Sequence, residues 1–162
     1  MKIIYHCYGG THSSVIAAAI HLGLLPEDRV PGKEMLLKIP LYDRQNKWQH
    51  GHVFYLGRDK EGHEVYLTAR RNKPEVLKAI FAGLAGIFAV PAASYCLVNA
   101  MSRVNWLMKL GGFLSRRLGF VQIGRPIVIL GTRLAYPGLV ELVKETKGTI
   151  NTGDNKNSLL QQ

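Results

Sequence analysis

Residues 2–20 read KIIYHCYGGTHSSVIAAAI, and their reading decides the fold. Lys2 to Tyr8 is a β-branched and aromatic run, the pattern of a buried strand. From Ser13 onward the chain turns Ala-rich, which favours helix. Ser13 or Ser14 is placed to cap that helix, and Gly23 with Pro26 supplies its stop. A strand, a glycine loop and a helix in direct succession open an α/β unit.

Working outward, Lys33 to Lys38 predicts a short helix, and Pro40 to His52 a long loop of the kind that is often functional. Val53, Tyr55, Val65 and Leu67 mark a hairpin turning at Asp59 to Gly62. A helix follows from Asn72, its expected cap, with Pro74 in the first turn. Ala79 to Ser102 carries no charge and is long enough to cross a bilayer. The VPAAS break inside it favours a buried helix, a turn and a strand, SYCLVNAM, instead. The stretch from Ser102 to Phe120 predicts a basic amphipathic helix weakened at Gly111 and Gly112. RPIVILG, Arg125 to Gly131, reads as the clearest buried strand, followed by a closing helix. The expectation is a three-layer α/β domain over residues 1–147, with a mostly parallel sheet, an inserted hairpin and a polar tail at 148–162.

The chain has 162 residues and a formal charge of +10. That length suits one domain with its own core. The charge favours acidic partners, or simply solubility. Two cysteines make no disulfide framework, and nothing at the start reads as a secretory leader; a cytoplasmic setting is expected. No nucleic-acid module is recognisable. His50 and His52, with His6, His12 and Cys7, lack zinc-type spacing, so no metal and no cofactor are expected.

The chemistry gathers at Cys7 to Ser14. In parallel sheets ligands collect beyond the carboxyl ends of strands. A loop entering a helix there offers unpaired N–H groups and the positive end of the helix dipole. Gly9 and Gly10 let the backbone approach a ligand, and Thr11, Ser13 and Ser14 add donors, a set that suits phosphate. Cys7 faces this nest as a nucleophile, with His6 and His12 beside it as acid, base or cation. Arg133, placed just after the RPIVILG strand, would supply a cation. The same residues also fit a plain strand-to-helix turn with a buried cysteine.

The run Cys-Tyr-Gly-Gly-Thr-His-Ser-Ser resembles two phosphate loops. In low-molecular-weight tyrosine phosphatases and arsenate reductases the loop runs Cys, five residues, Arg, Ser. Cys7 matches the nucleophile and Ser14 the serine that supports it, but Ser13 stands where the arginine belongs, and no Asp-Pro acid motif follows. In phosphotransferase enzyme IIB subunits the cysteine carries phosphate without an arginine; Cys7, Gly10, Ser13 and Ser14 fit that pattern better. Walker A fits poorly, since Ser13 takes the lysine position.

YHCYGGTHSSVIAAAIHLGLLP, KIPLYD, GGFLSRRLG and GRPIVILGTRLAYPGLVELV together resemble a family from spore-forming Firmicutes known only as domain of unknown function 3189. The resemblance implies a bacterial cytoplasmic protein linked to sporulation, and assigns no site. Two functions of different classes are expected: binding of a phosphate-containing small molecule at Cys7 to Ser14, or a non-enzymatic role. The latter would use a protein or membrane surface through Arg103 to Arg117 or Pro40 to His52.

Overall fold

The computed structural model describes residues 1–45 and 47–152, except for the side chains of Lys47 and Arg117. It is a mixed α/β fold on a four-stranded open sheet. β1 is Lys2–Cys7, β2 Val53–Arg58, β3 Glu64–Ala69 and β4 Tyr95–Asn99. Their order is β2-β3-β1-β4. β1 lies parallel to both β3 and β4, and β2 pairs antiparallel with β3 at the edge. The hairpin is therefore not an insertion. Its second strand is a full member of the parallel sheet.

β1 alternates between two faces, as any strand must. Ile3 and Tyr5 join a buried cluster with the helix α1, Ser13–His21, every residue of which is buried. Ile4 and His6 point to the other face and are buried too. That second face is crossed by α3, Pro74–Ile87, which touches it where Phe81 meets Tyr95 at 5.9 Å between ring centroids. The expected buried helix is not what the chain forms here: α3 has no buried residue. The uncharged stretch 79–102 is thus helix, turn and strand, and not one span. Lys73, not Asn72, is the cap of α3, and His12, with no side-chain cap bond, is the cap of α1, where a serine cap was expected. The short helix α2 is Lys33–Lys38.

The largest departure lies at the C-terminal side. RPIVILG is not a strand; it belongs to α5, a helix running Val121–Asn151. A short β-branched run cannot be told from buried helix by periodicity alone. Tertiary packing decides it: Val128, Ile129, Thr132, Ala135, Tyr136 and Leu139 recur at helical spacing and are all buried. Two prolines inside the helix, Pro126 and Pro137, further hid its continuity. Both sit on the exposed side with Gln122 and Arg133, whose carbonyls they leave without an intrahelical donor.

α4, Trp106–Gly112, packs antiparallel against the first half of α5 and passes through a π-helical turn, Phe113–Arg117. Glycines set the closeness of that pair. A Cβ on Gly111 would stand 2.4 Å from Val128 N, and one on Gly131 would stand 2.6 Å from Met108 N. By length and composition α5 could cross a membrane, with a mean hydropathy of 1.4, yet 56% of that window is buried inside the protein. Gly148 to Asn151 continue α5, and the remainder of the expected tail beyond Thr152 lies outside the described residues.

Candidate functional site

β1 ends at Cys7, and the chain then turns under the N-terminus of α1. Gly10 makes the turn at φ +68°, a left-handed conformation that favours glycine. A Cβ there would also press on Ala69 N at 3.0 Å, so β3 leaves the loop no room for one. Cys7 Sγ accepts the Gly10 N–H at 3.1 Å and shares a hydrogen bond with Ser14 Oγ, also at 3.1 Å. The N–H groups of Gly9, Thr11, His12 and Ser13 meet no acceptor among the described residues. They stand at the start of α1, where the helix dipole is positive.

The structure brings Cys7, Gly9, Gly10, Thr11, His12, Ser13 and Ser14 together at the carboxyl end of the central strand. It does not bring Arg133 there. With no strand at 125–131, Arg133 is an exposed residue in the middle of α5. The cations beside the loop come instead from the end of β3. Arg70 N donates to Cys7 O at 2.9 Å, Arg71 N donates to Tyr8 O at 3.0 Å, and the Arg71 guanidinium lies 4.8 Å from the centre of the Tyr8 ring. Arg70 also reaches Asn99 Oδ1 of β4 at 3.4 Å, while its Nε is buried without a partner among the described residues.

His6 lies on the opposite face of β1 from Cys7 and does not flank the thiol. Burial, helped by Arg70 and Lys78, pushes its pKa down to about 4, so it is neutral there. His50 and His52 are also apart from the thiol: His50 Nδ1 meets Arg71 at 3.4 Å, and His52 lies beside Phe54. Among the described residues no group of three His, Cys, Asp or Glu side chains is placed to hold a metal.

The stretch expected as a long loop turns out to be an arm folded over the site. Leu41 and Asp43 both take left-handed backbone, φ 68° and 50°, which turns Tyr42 and Asp43 into the interior. Such backbone costs on the order of 1 kcal/mol or more per non-glycine residue, so packing has to hold it. Asp43 N donates to Thr11 O, Thr11 Oγ1 donates to Leu41 O, and the Gln45 amide donates to Gly10 O. The arm thus clamps the outside of the loop.

Asp43 is fully buried, accepts hydrogen bonds from His12, Ser115 and Arg125, and forms an ion pair with Arg116. His12 Nε2 is 3.1 Å away, Ser115 Oγ 3.0 Å, Arg116 Nε 2.9 Å and Arg125 Nε 2.8 Å. Burial alone would push its carboxyl up, but the bonds from His12 and Arg125 outweigh it and hold the pKa at about 2. His12 is thereby oriented by a permanent carboxylate, with only 13% of its side chain exposed. Asp43, Ser115, Arg116 and Arg125 come from distant segments; in the sequence Arg116 had stood out only within a basic helix and Arg125 only at the start of an expected strand, neither as a partner of this site.

Fold and site define an α/β protein with a cysteine-headed strand–loop–helix at the carboxyl end of its central strand. Residues 2–148 match the family described as Protein of unknown function (DUF3189), and the chain belongs to that family. No curated protein and no solved structure matches it.

Proposed function

We propose that the protein binds a phosphate-type anion on the loop Cys7 to Ser14. The observation that supports this most is the set of N–H groups at Gly9, Thr11, His12 and Ser13 that meet no acceptor among the described residues, gathered around a glycine turn at the start of α1. Amides so placed are fixed partial charges and need no rearrangement to receive an oxyanion. Arg71, whose guanidinium lies over the Tyr8 ring, supplies a positive charge beside the loop that Arg133 does not. A nucleotide would use the same nest through its phosphates.

Cys7 is the group that phosphoryl chemistry would use. Its sulfur is met by the Gly10 N–H and the Ser14 hydroxyl, the arrangement that steadies a thiolate. Attack by that sulfur on phosphorus would form an S–P bond and break the P–O bond to the leaving group. His12, aligned by Asp43, is the candidate to protonate that oxygen. Cys7 is only 4% exposed, so the anion meets the amides first and reaches the sulfur only as the loop parts.

The test is thermal unfolding in rising inorganic phosphate, for the wild type and Cys7→Ser. Anion binding predicts a Tm that climbs with phosphate in both proteins, because the amides remain. Cys7→Ser should abolish any transfer of phosphate to the protein from a phosphate ester. A Tm indifferent to phosphate, sulfate and nucleotides in the wild type would refute the binding.

A further inference from the structure

The helical hairpin of α4 and α5 projects an apolar apex that the described residues leave uncovered. At the apex Leu118, Phe120 and Ile123 are exposed, Phe120 by 57% and Ile123 by 62%. Behind it the exposed side of α5 continues with Leu130 and Leu134 at helical spacing, and α4 exposes Trp106 at 68%. Exposed apolar surface of this extent marks a contact with something else.

The charges say what kind. Between Glu75 and Glu141 there is no Asp or Glu, while Lys78, Arg103, Lys109, Arg116, Arg117, Arg125 and Arg133 fall in that interval. Arg116 and Arg125 are drawn inward to Asp43, and Arg103 to Glu141 and Glu145. Lys109 and Arg133 remain exposed, with no ion pair among the described residues. Contact of Met108 with Gly131 places them at the same level of the hairpin, behind the apex. An apolar tip backed by cations and free of acids has the charge complement of an anionic bilayer surface. A second copy of this chain would set lysine and arginine against their own kind. A folded acidic partner would need a groove shaped for the tip, which a fluid bilayer does not.

We propose that the hairpin apex docks the protein on anionic membranes, with Phe120 and Ile123 entering the interface and Lys109 and Arg133 meeting lipid phosphates. The same hairpin holds Asp43 through Ser115, Arg116 and Arg125, but the docking proposal does not depend on the function of the Cys7 loop.

The experiment is co-sedimentation of the full chain with phosphatidylcholine vesicles, with and without phosphatidylglycerol. The expected result is binding only when phosphatidylglycerol is present, weakened by salt. Phe120→Glu with Ile123→Glu should lower the bound fraction about tenfold, as should Lys109→Glu with Arg133→Glu, because apolar insertion and charge act together. Tyr55→Glu, on the exposed edge strand β2, should bind as wild type. Circular dichroism melting confirms that each variant is folded. Absence of binding to phosphatidylglycerol vesicles at low salt, or equal binding without that lipid, would overturn the proposal. So would a concentration-dependent dimer that Phe120→Glu with Ile123→Glu disrupts while vesicle binding is absent.

Discussion

Helix α1 carries a histidine at each end, and each histidine points Nε2 at a buried aspartate. At the N-terminal end His12 meets Asp43 at 3.1 Å; at the C-terminal end His21 meets Asp59 at 3.0 Å. The surroundings differ. Asp43 also holds two guanidinium groups and a serine hydroxyl. Asp59 holds instead a second histidine, His63, at 3.0 Å, and His21 Nδ1 is met by the Tyr5 hydroxyl at 2.8 Å. If His21 is neutral, Tyr5 donates to Nδ1 and Nε2–H donates to Asp59. One end is therefore an electrostatic anchor beside amides that meet no acceptor among the described residues, and the other a hydrogen-bonded chain from Tyr5 through His21 and Asp59 to His63. Similar pairs serve different ends because of their neighbours.

The largest effect should come from removing the anchor. Asp43→Ala leaves two arginines without their buried partner and should cost about 3–5 kcal/mol in urea unfolding. Asp59→Ala loses bonds from His21 and His63 but strands no guanidinium, and should cost about 2 kcal/mol. Equal losses at the two ends would show that the arginines at Asp43 add nothing.

Acid should separate the ends next. Burial lowers the pKa of His21 below 6.5 against the opposing bond to Asp59. A depressed folded value means the neutral form is the one the fold favours. That contribution is complete above pH 6.5 and is lost as pH falls through the folded value. His6, held at about 4 by burial, adds to the loss over the same range. Asp43, depressed from 3.8 to about 2, contributes fully above 3.8 and surrenders it only between there and about 2. Urea midpoints measured against pH should thus fall in two stages. His21→Gln should shrink the first, and Asp43→Asn should shrink the second, to which Asp59, lowered despite burial by its bonds from His21 and His63, also contributes.

The smallest effect tests how tightly the anchor holds His12. A Cβ on Gly112 would lie 3.2 Å from the His12 ring, so the ring must give slightly. Gly112→Ala should change stability by less than about 1 kcal/mol. It should shift the imidazole resonances of His12 and leave those of His21 alone.

These two ends also show what could be read in the chain itself. The strand, glycine loop and start of α1 were legible because they are local: a β-branched run, Gly9-Gly10 and an Ala-rich stretch are adjacent. The hairpin turn at Asp59 to Gly62 and the strand at Tyr95 to Asn99 were legible for the same reason. Asp43 was not, since its partners lie 31 to 82 residues away and its backbone depends on an arm with no periodicity. Arg133 was misplaced because RPIVILG suits a strand by composition, while its helical identity comes from glycine contacts with α4 that no short window reveals. Arg70 and Arg71 follow directly on the end of the hairpin strand. Their place beside Cys7 follows from the parallel pairing of β1 with β3.

The central claim is that the N-terminal end of α1 receives an anion and the C-terminal end does not. Backbone amide NMR during a titration with inorganic phosphate tests both ends in one sample. The account predicts saturable shifts at Gly9, Gly10, Thr11, His12 and Ser13, with Asp59 and His63 unmoved. Amides at the loop that stay fixed throughout the titration would contradict it.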